Sequence, residues 1–486
     1  MGKLVVLGAG VSGHTAAMHA WRKLKGKHEV VVITPNRNYN WIPSNIWVGA
    51  GTMKPEQVTF QLPNVYKKLG MELIQAKATA IYPEGKTDEP RPFVEIAYTD
   101  EARSGQTGRV TFDYLINATG PRLEFAKTPG LGPHGGHTTS VCTYGHAAEA
   151  WEHLQESIGR MKAGERQKIL IGTGHGMCTC QGAAFEYTFN VEHALRKAGV
   201  RHKADIHWIS NEFALGDFGM GGVHMRQGGY VTPGNIFAES LFAERGVEWT
   251  TQAGVTEIQE KKLKYETISG DEGEMEFDFA MLLPPFSGVG MKAFDKAGTD
   301  ITGEVFAPNG FMKVDADYSG KPYEQWSPSD WPETYQNPKY SNLFAVGIAF
   351  APPHSISKPM KSPSGTPIFP TPPRTGMPSG VIGRQTALNI VDMMLGRAEE
   401  PTRKSSMARM GAACIASVGK GFFDGSAVSM TVHPIVPNYE LFPETGRSLR
   451  YTTGEIGLAG HWIKHLLHHG FIYKAKANPM WYVIPE

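Results

Sequence analysis

Nowhere in the 486 residues does an apolar run reach the length that a bilayer-spanning helix needs. An excess of one charge is lacking too: 48 Lys and Arg meet 47 Asp and Glu, for a net charge of +1. That balance removes the electrostatic case for a nucleic-acid partner. Cysteine is scarce. Four residues in a chain of this length do not make a disulfide scaffold, so the setting of each thiol matters more than the number. No secretory leader is expected, because the first strand, Lys3-Leu4-Val5-Val6-Leu7, starts almost at once. A myristoylation signal would want Ser or Thr where Val6 stands. These features predict a protein made, and kept, in the cytoplasm. Glycine is abundant, at 56 residues, as expected where backbone must approach a ligand closely. With 41% hydrophobic and 20% charged residues, the chain is long enough for two or three globular domains.

Val5-Val6-Leu7 runs into Gly8-Ala9-Gly10-Val11-Ser12-Gly13, then a helical pattern, then a second strand at Glu29-Val30-Val31-Val32-Ile33-Thr34. Gly8 permits a tight turn, Gly10 opens the helix start to a pyrophosphate, and Gly13 lets helix and strand pack closely. A bare glycine turn would not need both strands at this spacing, so the unit reads as a dinucleotide site. It lacks the expected ribose-binding acid; Thr34-Pro35-Asn36 occupies that region. A second copy, Lys168-Ile169-Leu170-Ile171 leading into Gly172-Thr173-Gly174-His175-Gly176, gives the internal repeat of two-dinucleotide-domain flavoproteins. This copy is eroded, with Met177, Cys178 and Cys180 crowding the turn, and reads as a relic turned to other chemistry.

The expected fold is therefore α/β, with two Rossmann-like domains and a C-terminal membrane-associating helical region. The strand Phe112–Asn117 ending in Ala118-Thr119-Gly120, and the strand Asn342–Ile348 with Gly347, return the chain to the first domain. Boundaries are placed at 1–125 and 295–400 for a split FAD domain, 126–294 for the second, and 401–486 for the C-terminal region. Residues 351–380, rich in Pro and Ser, read as an ordered loop over the cofactor in preference to a flexible linker.

Each of Cys142, Cys178, Cys180 and Cys414 has a bland reading as a small buried hydrophobe. Cys180 differs in lying near a helix start, where a thiol pKa is expected to fall, beside glycines that admit a small reactant. A metal site from His175, Cys178 and Cys180 would lack ligands, and none is expected.

Several segments resemble sulfide:quinone oxidoreductases: Thr34 to Gly49, Ala118-Thr119-Gly120-Pro121, Cys142-x-x-x-His146, Cys180 to Tyr187, Phe344 to Ala349, and Cys414-Ile415-Ala416. The resemblance covers nearly the whole chain. It implies FAD as cofactor, sulfide and a quinone as substrates, and a peripheral place on the cytoplasmic side of a membrane; the oligomeric state stays open. It further implies Cys180 and Cys414 as the pair that takes sulfide and holds the growing sulfur chain. Cys142 would be an outer cysteine, and Glu186 and His146 acid–base groups. FAD contacts are implied at Gly8, Gly10, Gly13, Thr34, Asn36, Pro43, Ser44, Asn45, Ala118, Thr119, Gly120, Gly347, Arg374, Thr375 and Gly376. Quinone contacts are implied at Ile415, the Gly421-Phe422 tip and Phe471. The chain departs from the family's pattern at Cys178, which is extra, at Asp217, where many relatives carry His, at Ile415, and in an apparent insertion from Tyr318 to Lys339.

On a helical wheel from Leu458 to Leu467, Leu458, Trp462, Ile463, Leu466 and Leu467 share a face. His461, Lys464, His465, His468 and His469 share the opposite one. A Trp-bearing apolar face opposite a cationic one predicts a helix in the membrane interface, charged more strongly as its exposed imidazoles titrate near pH 6.5. A core-packed helix or a dimer contact is the alternative. Rival functions are a type II NADH:quinone dehydrogenase, a flavocytochrome-type sulfide dehydrogenase, and a slow redox-sensing or sulfur-carrier flavoprotein.

Overall fold

Leu4, Val5, Val6 and Leu7 have no exposed surface, because their strand lies inside a parallel sheet with both faces covered. The computed structural model describes residues 1–486. In the first sheet the strand Lys3–Leu7 pairs in parallel with Glu29–Thr34 on one side and Tyr114–Asn117 on the other. Leu343–Ala345 adds in parallel beyond Tyr114–Asn117, so a segment late in sequence completes a sheet begun at residue 3. The helix Val11–Leu24 packs along the helix Gly376–Met394 on this sheet. Their approach is close: a Cβ on Gly383 would come within 2.5 Å of the Ser12 carbonyl oxygen.

The second sheet is wholly parallel, in the order Val247–Thr250, Ala204–Ile209, Gln167–Thr173, Phe279–Leu283. The helix Gln181–Lys197 follows its strand Gln167–Thr173 through the second glycine turn. A third sheet joins Tyr230–Pro233 and His224–Gln227 to Thr453–Gly457, Gly425–Val432 and Ala412–Gly419. The C-terminal region thus adds three strands as well as a helix, and it draws a hairpin from the middle of the chain. This third sheet sets Ala412–Gly419 against the helix Gln181–Lys197.

Residues 351–380 are tied down. The Phe369 N–H donates to the Gly176 carbonyl at 2.9 Å and that of Thr371 to the Cys178 carbonyl at 2.8 Å. Tyr318 to Lys339 braces this loop, with the Tyr318 hydroxyl donating to the Ala351 carbonyl and Trp326 stacked on His354.

Candidate active site

At the first glycine turn, Gly8 has φ +96° and a Cβ there would lie 2.2 Å from the Ala118 carbonyl oxygen. A Cβ on Gly13 would lie 2.2 Å from the Gly8 oxygen, whereas Gly10 faces open space. Gly347, at φ +65°, brings its strand end against Ser12, whose hydroxyl is buried without a partner. An open Gly10, an unpaired hydroxyl and a helix N-terminus in one place fit the pyrophosphate of a dinucleotide. Thr34 is buried at the end of its strand, and its hydroxyl accepts from the Asn36 N–H. The Thr119 hydroxyl donates to Asn117, and Gly120, at φ +72°, opens onto free space. Thr375 and Gly376 start the late helix, with Gly376 against Pro43.

Arg374 lies in the same cleft, with Gly347 and Thr375 in its wall. The guanidinium is buried between Phe311 and Phe350 and donates to the carbonyls of Ile348 and Phe350. No carboxylate pairs with it, and burial brings its pKa down to about 10, with the Cys180 thiolate pulling the other way. Ser44 and Asn45 are spent within the protein: the Ser44 hydroxyl bonds His468 Nδ1 at 2.8 Å, and Asn45 exchanges side-chain bonds with Asn40.

Cys180 immediately precedes the helix Gln181–Lys197 and is held left-handed at φ +67°, a strained conformation for a residue with a Cβ. Cys414 sits opposite the first turn of that helix, its Sγ 3.3 Å from where a Gly182 Cβ would stand. A side chain at 182 would crowd that sulfur. The thiols do not follow the expected fall in pKa. Burial pushes Cys180 up, against the pull of the Thr179 side chain and the Arg374 N–H and charge. Burial likewise pushes Cys414 up to about 11 and Cys142 up to about 12, the latter helped by the nearby Cys180. The desolvation cost of a buried thiolate exceeds what one helix terminus returns. Cys178 is fully buried, its Sγ donating to the Leu283 carbonyl at 3.2 Å, as a structural cysteine would.

Glu186 is buried one turn beyond Gly182. One carboxylate oxygen accepts from Lys464 Nζ at 3.0 Å and the other from the Ser417 N–H at 3.2 Å. Burial raises its pKa; Lys464 opposes this, and the carboxylate in turn raises Cys414. Lys464 also donates to the Ile415 carbonyl, so one ammonium bridges the acid and the strand that carries Cys414. His146 stands elsewhere: its ring meets Phe125 and His134, and its Nδ1 is buried and unpaired.

The C-terminal helix, Leu458–Ala475, turns its apolar face outward as the wheel suggests, but its polar face meets the protein instead of solvent. Trp462, Ile463, Leu466 and Leu467 are exposed, whereas His461 and His468 are buried and Lys464 is engaged with Glu186. His465 and His468 therefore do not titrate near pH 6.5. Burial and neighbouring cations hold both down to about 4. Of the residues expected at a quinone, Ile415 is buried in its strand, Gly421 and Phe422 lie at an exposed hairpin tip, and Phe471 stacks on Trp41. Sequence reasoning missed Lys464 as the partner of Glu186 and missed Trp47, buried beside it. Nothing local in sequence links positions 186 and 464.

Comparison with known proteins places this geometry. Residues 2–193 match the family described as pyridine nucleotide-disulphide oxidoreductase. The chain is 28% identical over 475 residues to the sulfide-quinone reductase of Aquifex aeolicus, covering 97% of this chain and 91% of that protein. It is 22% identical over 347 residues to the mitochondrial sulfide:quinone oxidoreductase of Dictyostelium discoideum, covering 71% of this chain and 64% of that one. The crystal structure of the Aquifex aeolicus sulfide:quinone oxidoreductase superposes with a TM-score of 0.75 at 26% identity, over 98% of this chain and 92% of that one. NDH2 of Plasmodium falciparum in complex with NADH shares the fold at a TM-score of 0.64 and 11% identity, over 99% of this chain and 97% of that one. The chain thus resembles sulfide:quinone oxidoreductases along nearly its whole length.

Proposed function

We propose that this chain oxidises sulfide through Cys180 and Cys414, with FAD passing the electrons to a quinone. The observation that carries the reading is the pair of half-buried cysteines across the glycine-walled first turn, beside a buried carboxylate. FAD, when bound at the first glycine turn, would accept two electrons and hand them to the quinone. Gly8, Gly10, Gly13 and the Ser12 hydroxyl would hold its pyrophosphate, and Thr34 and Asn36 would approach the ribose.

Hydrosulfide attacks one sulfur of a Cys180–Cys414 bridge. That S–S bond breaks, a new one forms to the incoming sulfur, and the other cysteine leaves as thiolate. Glu186 is placed to take the proton of the incoming sulfur, with Lys464 keeping it charged between events. Arg374 stabilises a thiolate at Cys180. When the bridge re-forms with one more sulfur, two electrons depart. Replacing Glu186 by Gln should slow sulfide-driven reduction roughly 100-fold, the usual scale for one general acid–base group. Stopped-flow bleaching of the flavin band measures it, and a wild-type rate in E186Q would remove Glu186 from the chemistry.

A nicotinamide substrate is disfavoured at the second glycine turn. Leu131 presses on Gly174, and the Pro367 carbonyl lies 2.2 Å from where a Gly176 Cβ would point. The Phe369 N–H and the Asn211 side chain both donate to the Gly176 carbonyl, fixing the proline-rich loop across the ground a pyrophosphate would need. NADH should therefore reduce the flavin at least about 100-fold more slowly than sulfide, a barrier difference of about 3 kcal/mol. Comparable anaerobic bleaching by the two donors would favour a type II NADH dehydrogenase instead.

The exposed face of the C-terminal helix supports a peripheral seat on a membrane, where a lipid-soluble quinone resides. No helix is long and apolar enough to cross a membrane.

A further inference from the structure

The C-terminal helix sends its imidazoles inward and its leucines outward, against the ordinary preference for burying apolar side chains. The imidazoles lie side by side as ring neighbours. His461 Nδ1 bonds the Ser417 hydroxyl at 2.7 Å and its Nε2 bonds the Gly421 carbonyl at 2.9 Å. The His465 ring lies 4.6 Å from that of His461, stacks on Trp47 at 4.6 Å, and keeps a buried Nε2 with no partner. His469, which is exposed, lies 6.5 Å from His465 and 4.9 Å from His468. His468 Nδ1 bonds the Ser44 hydroxyl. At the inner end Lys464 joins Glu186, whose charge acts on Cys414, while the Ser417 N–H donates to Glu186 and its hydroxyl bonds His461. Trp47, whose Nε1 donates to the Ser417 carbonyl, floors the series.

We propose that His469, His465, His468 and His461 relay protons between solvent and the Glu186–Lys464 pair. The proposal rests on the functional reading above and adds a role for the inner face of this helix. The balance requires such a route. Hydrosulfide brings one proton and a quinol needs two, so HS⁻ + quinone + H⁺ gives zero-valent sulfur and quinol, with one proton drawn from solvent per turnover. Neutral imidazoles both accept and donate, which suits His465 and His468, held neutral to about pH 4 chiefly by burial, with the Lys464 ammonium and the neighbouring imidazoles adding to it. The unpaired Nε2 of His465 is the vacant position such a series needs.

The test uses the FAD-loaded full chain with His465→Ala and His465→Gln. Sulfide-driven bleaching should be unchanged in both. Turnover with a short-chain quinone should fall about 10-fold or more, the lower range for a lost proton-transfer group. Turnover with ferricyanide, which takes electrons without protons, should hold at the wild-type rate. Added imidazole should restore quinone turnover in His465→Ala and not in His465→Gln. An indicator dye should show proton uptake lagging in the variants. Equal slowing with both acceptors, unchanged quinone turnover, or no rescue by imidazole would overturn the relay. Wild-type protein that sulfide fails to bleach would overturn the functional reading instead.

Discussion

Replacing Cys414 by Ser should lower sulfide-driven flavin reduction by roughly three orders of magnitude, about 4 kcal/mol of barrier, while FAD stays bound. The reason lies in the bridge. A serine oxygen cannot form the S–S bond that hydrosulfide must open, so the first covalent step has no counterpart in the variant. Cys180→Ser should fall as far, and the double variant no further, because the two sulfurs act as one unit. FAD should remain because Gly8 and Gly13 set the turn against Ala118 and Gly8 and Gly10 leaves it open, without either cysteine. Cys142→Ser separates the roles. Cys142 lies near enough to Cys180 to feel its charge, outside the Cys180–Cys414 pair, so its loss should change product release more than the first reduction. Anaerobic stopped-flow absorbance measures all three. Bleaching of Cys414→Ser at the wild-type rate would refute the pair.

The glycine-rich turn, the parallel strands of the first two sheets and the late strand Leu343–Ala345 were legible because each rests on local periodicity and glycine geometry. The cysteine contexts were read through resemblance alone, and the structure adds that a side chain at Gly182, close after Cys180, would crowd Cys414. What was not legible depends on partners far along the chain. A helical wheel separates polar from apolar positions without saying which half meets the protein. Here Glu186, Ser417 and Ser44 turn the polar half of Leu458–Ala475 inward by pairing with Lys464, His461 and His468. The thiol pKa values went the other way for a related reason. A helix start is visible in sequence, but the burial that outweighs it is not.

Polar substitution on the outward face should release the protein from lipid. Phe423 is 81% exposed, Leu466 71% and Phe422 65%, and Trp462 stacks on Phe422 and donates its Nε1 proton to the Phe422 carbonyl. The hairpin tip and the helix thus form one apolar surface on a fixed frame. Burying a large apolar side chain is worth roughly 1.5–3 kcal/mol, so Phe423→Ser with Leu466→Ser should weaken binding about 100-fold or more. Flotation with phosphatidylcholine vesicles reads this, and turnover with long-tailed quinones should fall while short-tailed ones are spared. His465 and His468 should not strengthen attachment in mild acid. His465 and His468 have folded-state pKa values depressed to about 4, so both stay neutral from pH 8 to 5.5 and add no charge toward anionic lipid. Their effect falls on stability. Below pH 6.5 the unfolded chain takes up protons that the folded one refuses, so this part of stability is full above pH 6.5 and is lost as pH drops toward 4. Binding to anionic vesicles at pH 5.5 and 8 should differ little, and the helix should loosen only nearer pH 4. Vesicle binding that survives both serines would place the membrane face elsewhere, and a steep gain in binding at pH 5.5 would mean that the imidazoles face the lipid after all.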